Sequence, residues 1–142
     1  MTSIEDCFHL GVKGLILNPE KEILLLERNH PSKCKYWDIP GGRLQKGESQ
    51  LDTLKREIFE ETGLENIHHA HYLSSIVTNI RIPQPKGDVG LIFSLYVIYL
   101  NESFVPRLSS EHQSYAWCEN LQACERLKSQ LPREFISKLF IL

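Results

Sequence analysis

The sequence predicts an α/β fold in which helices flank a mixed β-sheet. Three observations carry this expectation. Leucine-rich and β-branched runs of strand length come in hairpin-like pairs. One strongly punctuated helical segment stands between them at residues 50–62. Two shorter helical segments close the chain, so strands and helices are interspersed with hairpins and the sheet is expected to be mixed.

The first strand is FHLGVKGLILN, residues 8–18, ending at Asn18-Pro19. EILLLER (22–28) follows the turn-like NPEK, and the two read as a hairpin. NHPSKCK (29–35) reads as a loop, YWDIP (36–40) as a short apolar segment, and Gly41-Gly42 as a sharp break.

Ser49 is placed to cap a helix, with Asp52 three residues on in a variant of the capping box. Gly63 stands where a helix commonly stops in the left-handed conformation. Leu51, Leu54 and Ile58 fall on one stripe at helical spacing and are expected to be buried.

HHAHYLSSIVTNI (68–80) and DVGLIFSLYVIYL (88–100) read as long strands separated by a polar loop, PQPKG. SYAWC (114–118) is a short strand, Leu121 to Lys128 a helix, and Pro132 a first-turn residue for a last helix, REFISKLF. With 142 residues and no internal repeat or linker, the whole chain, 1–142, is expected to form one domain.

Composition excludes several function classes. A formal net charge of −2 supplies no broad basic field to hold a nucleic-acid polymer. A small polyanion needs only a few placed cations and a metal. The apolar run from Val89 to Leu100 is too short to span a bilayer, and no signal or transit peptide is evident. Cys7, Cys34, Cys118 and Cys124 show no CxxC spacing and read as reduced thiols in a cytoplasmic protein.

The helix at 50–62 carries the chemistry. At about 100° per residue, Glu57, Glu60 and Glu61 share one face roughly 100° wide, beside the leucine stripe. Like charges at these spacings repel, and anions near a helix C-terminus oppose the macrodipole. A bound divalent cation reverses both penalties, and clustered hard oxygens suit Mg²⁺, Mn²⁺ or Ca²⁺ rather than zinc. Taken alone, such a cluster ordinarily means a solvated acidic face.

The flanking residues change that reading. Residues 42–64 are GRLQKGESQLDTLKREIFEETGL, with Gly42, Glu48, Arg56, Glu57, Ile58, Glu60, Glu61, Gly63 and Leu64 at constrained positions. This segment resembles the signature of the Nudix hydrolases: Gly, five residues, Glu, seven residues, Arg-Glu-aliphatic, one residue, Glu-Glu, one residue, Gly-aliphatic. A chance match in one window is on the order of one in a billion at ordinary residue frequencies. The aromatic-rich YWDIPGG before it is also similar to the family's pattern.

The resemblance implies a small MutT-type α/β/α sandwich and a metal-dependent pyrophosphohydrolase. It implies that Glu57, Glu60 and Glu61 ligate Mg²⁺, for which Mn²⁺ is a possible substitute, together with the Gly41 carbonyl. Glu48 is expected in the metal shell, directly or through water, and Arg56 is expected to orient the acids through Glu48 or Glu57. The general base is either a glutamate of the helix, Glu57 or Glu60, or Glu111 in SSEHQSYAWC. That stretch resembles an EHxxYxW segment of small Nudix enzymes that include asymmetric dinucleoside tetraphosphate hydrolases. Glu111 is otherwise an accessory ligand or a loop glutamate fixing strand geometry, and His112 reads as structural.

Arg28, Lys35 and Arg43 are candidate phosphate-binding residues, each with plain surface charge as its alternative. Trp37, Phe93, Tyr115 and Trp117 are candidates to stack on a base, though core packing suits most of them better. His69 and His71 share a strand face, but no further ligand for a metal is evident. Expected substrates are nucleoside triphosphates, dinucleoside polyphosphates or nucleotide sugars, acted on by a monomer or homodimer. The rival reading is a catalytically silent nucleotide-binding module, which usually lacks the acids retained here. An isoprenoid diphosphate isomerase would need a further catalytic cysteine and glutamate and a longer chain.

Overall fold

A computed structural model describes residues 4–30, 33–139 and 142. Its elements run β1 (Phe8–Leu17), β2 (Ile23–His30), β3 (Lys33–Asp38), β4 (Gly41–Arg43), α1 (Gln50–Thr62), β5 (Ala70–Gln84), β6 (Gly87–Tyr99), β7 (His112–Cys118), α2 (Asn120–Leu127) and α3 (Arg133–Leu139).

The sheet is mixed, with a strand path β3-β2-β1-β6-β5 from which β4 branches onto β1 and β7 onto β2. β1 and β6 pair in parallel from Phe8↔Gly90 to Leu17↔Tyr99, and the other pairs are antiparallel. A parallel pair needs a long crossover, and here it carries α1 across one face of the sheet.

Strand alternation divides the core between the two faces. Val12, Ile16, Leu24 and Leu26 pack with Leu54 and Ile58 of α1 on one side. Leu15, Leu17, Ile23 and Leu25 pack with Leu127 of α2 and Phe135 and Leu139 of α3 on the other. The result is the expected α/β/α sandwich. Gly14 sets the depth of α1, because a Cβ there would meet Ile58 Cδ1 at 2.9 Å and Leu54 Cδ1 at 3.2 Å.

The caps of α1 are as the sequence implies. Ser49 Oγ accepts from the Asp52 amide at 3.1 Å, and Asp52 Oδ2 accepts from the Ser49 amide at 3.0 Å. Gly63 takes the left-handed conformation at φ 78°.

Several expectations require correction. Most of the loop assigned to 29–35 is strand: β2 runs on to His30 and β3 begins at Lys33. Because β3 is an edge strand, it tolerates the polar side chains that made it look like a loop. Pro31 and Ser32 of that stretch, and Phe140 of the predicted last helix, lie outside the described residues.

PQPKG is not a loop of its own, since β5 and β6 pair to Gln84↔Gly87 and leave only residues 85 and 86 to turn. Pro83 is accommodated because β5 is the opposite edge of the sheet. Leu51 is exposed rather than buried. Gln50 takes the inward place in that first turn, its Oε1 accepting from Ser94 Oγ at 2.5 Å and Tyr96 Oη at 3.1 Å. No described helix is long and apolar enough to cross a membrane.

Candidate active site

α1 and β4 build one wall of a cleft of about 670 Å³. The helix turns Glu57, Glu60 and Glu61 toward it, but to different depths. Glu60 keeps 55% of its side chain exposed, Glu57 keeps 17%, and Glu61 only 5%. The buried face of α1 therefore includes an acid, which the division into an acidic edge and an apolar stripe did not foresee.

Glu61 Oε2 accepts the Gly41 amide at 3.0 Å. Its other oxygen lies 3.8 Å from Arg28 Nη2. Burial dominates, and pushes the carboxyl up to about 7 against the opposing pull of the Gly41 N–H and the Lys13 and Arg28 charges.

Both glycines of β4 are required by close approach. Gly41 has φ 154°, and a Cβ there would strike Val12 O and Lys13 Cα. A Cβ on Gly42 would overlap the Glu57 carboxylate. The Gly-Gly pair thus lets β4 lie against β1 and lets a carboxylate rest against β4.

Arg56 ties these acids to the loop before the helix. Its Nε and Nη2 donate to the two oxygens of Glu48 at 2.7 and 3.0 Å, and its Nη1 donates to Glu57 at 2.8 Å and Glu60 at 3.5 Å. The guanidinium holds the Glu48 carboxyl down at about 2, with help from the Thr53 hydroxyl and the Gln45 amide. Those two groups donate to Glu48 Oε1 at 2.9 and 3.1 Å.

Residues of β1, β2, β6 and the segment before β7 complete the lining of the cleft. Arg28 Nη2 lies 3.5 Å from Glu111 Oε2, so this cation sits between Glu61 and Glu111. Glu61, Glu111 and His112 each place a ligand-type atom within 4.8 Å of the others. His112 is buried, and desolvation together with the nearby Arg28 charge lowers its pKa. Arg43 lines the same cleft and its Nη1 is 3.2 Å from His9 Nδ1.

Of the residues singled out in the sequence, Arg28, Gly41, Arg43, Arg56, Glu57, Glu60, Glu61 and Glu111 meet at this one cleft. Two do not line it. Lys35 faces a separate cleft with Trp37 and Arg126, because β3 alternation turns it toward α2. Glu48 stands behind Arg56 with both oxygens engaged, the place of a support for the guanidinium rather than of a group facing the cleft.

Sequence reading missed Lys13 and Asp38, which line the cleft as an ion pair with 3.1 Å between Nζ and Oδ2. A lone lysine inside the apolar run GVKGLIL was the available signal. Phe93 also lines the cleft, with Lys13 Nζ 5.4 Å from its ring centre. Trp37 instead stacks under Arg126, and Trp117 packs against the α1-side core. The His69 and His71 rings stack at 6.4 Å, and neither belongs to a ligand cluster among the described residues.

The donor set fits a hard divalent cation. Among the described residues, three glutamates converge with two guanidinium groups among them, and Glu61 is a buried carboxylate with a single short hydrogen bond. Carboxylate oxygens converging from one helix face are what Mg²⁺ or Mn²⁺ coordinates.

Comparison with known proteins agrees with this geometry. A NUDIX domain family model matches residues 8–139. The chain is 31% identical over 108 residues to the asymmetrical bis(5'-nucleosyl)-tetraphosphatase of Rattus norvegicus, covering 76% of this chain and 71% of that protein. It is also 31% identical over 133 residues to an octanoyltransferase of Myxococcus xanthus, covering 89% of this chain. There it spans only about a third of the relative's length, 34%. Among solved structures, a MutT protein from Methanosarcina mazei Go1 superposes with a TM-score of 0.72 at 26% identity, covering 96% of this chain and 94% of that one. Since the family match runs from β1 to the end of α3 and takes in every element that builds the cleft, this chain belongs to the Nudix hydrolase family.

Proposed function

We propose that the chain hydrolyses a phosphoric anhydride bond in a nucleoside diphosphate linked to another moiety, with Mg²⁺ or Mn²⁺ held by Glu57, Glu60, Glu61 and the Gly41 carbonyl. The observation that carries this reading is the convergence of three carboxylates of one helix on a cleft that Arg28 also lines. A divalent cation bound there supplies charge neutralisation of the diphosphate and lowers the pKa of a coordinated water.

The chain's own residues supply the rest. Arg56, braced by Glu48, holds Glu57 and Glu60 in place through charge-assisted bonds. Arg28 of β2 and Arg43 of β4 line the cleft and offer guanidinium groups to phosphate oxygens. Glu111 is the proposed general base. Its side chain is 68% exposed, its one ion pair among the described residues is the long contact to Arg28, and it lines the cleft from the segment before β7.

Dinucleoside polyphosphates are the first substrate class to test. The EHQSYAW segment favours them, as does the relation to the rat tetraphosphatase over most of both chains. The test is a screen of the purified protein with Mg²⁺ or Mn²⁺ against nucleoside triphosphates, dinucleoside polyphosphates and nucleotide sugars, with products separated by chromatography. Turnover is expected, and Glu60→Gln or Glu61→Gln should reduce it at least about 100-fold with the fold intact. No cleavage of any diphosphate would replace this proposal with the silent binding module, and unchanged turnover in both variants would remove the acidic helix from the chemistry.

A further inference from the structure

We infer that Lys13 and Asp38 form a positioning latch, which holds the segment 38–41 so that the Gly41 amide meets Glu61 and sets the affinity of the cation site. The inference rests on the proposed role of the α1 carboxylates in holding a cation.

Lys13 is 9% exposed, in a strand whose neighbours are glycine, valine and leucine. Its Nζ donates to Asp38 Oδ2 and Oδ1 at 3.1 and 3.3 Å and to the Ile39 carbonyl at 3.4 Å. Asp38 Oδ1 also accepts the Ile39 amide at 2.8 Å. An ion pair this enclosed is weak evidence of stabilisation, because apolar residues of similar volume commonly serve as well or better. Its retention beside a cleft therefore calls for another account.

Position supplies one. Residues 38–41 are the link between β3 and β4, and they are fastened to β1 in three ways. Lys13 grips Asp38 and Ile39, the Gly14 amide donates to the Pro40 carbonyl at 2.9 Å, and Lys13 itself pairs with Gly41. Gly41 leaves this clamp with its N–H on Glu61 Oε2 at 3.0 Å. Glu61 has no other hydrogen-bond donor within 3.5 Å among the described residues, so a shift of the 38–41 link transmits directly to the buried carboxylate. Lys13 and Asp38 need touch no substrate to act in this way.

The test measures Mn²⁺ binding to the full chain by paramagnetic resonance or calorimetry, alongside thermal unfolding, for the wild type, Lys13→Met, Asp38→Asn and the double variant. Each single variant strands a buried charge or its partner's donors and should lose both stability and Mn²⁺ affinity. The double variant removes both charges, so its Tm should recover toward the wild type. Its Mn²⁺ affinity should stay about 10–100-fold reduced, the range expected when a group that orients a metal ligand is lost. In turnover, kcat should fall while KM stays close to the wild-type value.

Recovery of Mn²⁺ affinity together with Tm in the double variant would make the pair merely structural and overturn the latch. So would wild-type Mn²⁺ binding in a folded single variant. If the wild type itself takes up no Mn²⁺, the carboxylate reading fails and the latch fails with it, an outcome visible before any variant is made.

Discussion

Arg56 and Glu48 form a two-pronged ion pair, Nε to Oε2 at 2.7 Å and Nη2 to Oε1 at 3.0 Å, while the remaining guanidinium nitrogen of Arg56 reaches Glu57. The loop before α1 is thereby locked to the acids the helix presents. A lysine cannot reproduce that fork, because its ammonium is a point charge on a flexible stem.

Arg56→Lys should therefore release Glu48, whose carboxyl lies at about 2 chiefly because of the Arg56 hydrogen bonds. Carboxyl carbon shifts followed by NMR against pH should move the Glu48 midpoint up toward its ordinary 4.5. Activity should fall about 10–100-fold as Glu57 loses its orientation. A Glu48 midpoint that stays near 2 would show that Thr53 and Gln45 suffice without the fork.

Glu61 makes metal-free stability depend on pH in the opposite sense from a paired surface acid. Burial raises its folded-state pKa to about 7 from 4.5, so the folded chain keeps a proton that the unfolded chain releases between those values. Stability from this group is complete below 4.5 and is lost as pH rises through 7. In EDTA, the stability of the wild type relative to Glu61→Gln should decline from pH 5 to pH 8 by an amount on the order of 3 kcal/mol. A difference that does not change with pH, measured by urea unfolding, would contradict the assignment.

Gly42→Ala should damage the site more than the fold. The added methyl overlaps the Glu57 carboxylate, and the acid must leave its place against β4. Overpacking of this kind costs about 1–3 kcal/mol in stability. The sharper expectation is a loss of Mn²⁺ affinity well beyond that of a control alanine at Glu20, an exposed residue of the β1–β2 turn that does not line the cleft. Equal affinities for the two variants would count against Glu57 as a ligand.

Ser49→Ala should lower stability by about 1 kcal/mol, the usual cost of a lost N-cap. Urea midpoints measure it directly. The Asp52 side chain would still reach the amide of residue 49, so Asp52→Ala in addition should cost more than Ser49→Ala alone.

α1 was legible in advance because its signals are local. Ser49, Asp52 and Gly63 act within one turn of their own positions, and the spacing of Glu57, Glu60 and Glu61 follows from helical pitch alone. The β1–β2 hairpin was legible for a similar reason, and β5 and β6 were legible as apolar strand-length runs, although the turn between them is shorter than the loop expected. β3 was not. Its first half shows no apolar run, since an edge strand is held by backbone pairing with β2 and can leave side chains such as Cys34 and Lys35 exposed. Leu51 and Lys35 were placed by residue type and lie elsewhere, the first displaced from the interior by Gln50, the second turned away by strand alternation.

The sequence by itself determined the acidic helix, the glycines beside it and the pairing of Arg56 with the acids, because those relations span twenty-odd residues and depend on local geometry. Only the tertiary structure decided which acid is buried, which cations face it and what fills the floor of the cleft. Arg28, Lys13, Asp38 and Glu111 come from β1, β2, β3 and the segment before β7, and meet only because the strands pair in one order and register. Burial and the electric field at Glu61 are sums over all of those neighbours, which no single stretch of chain contains.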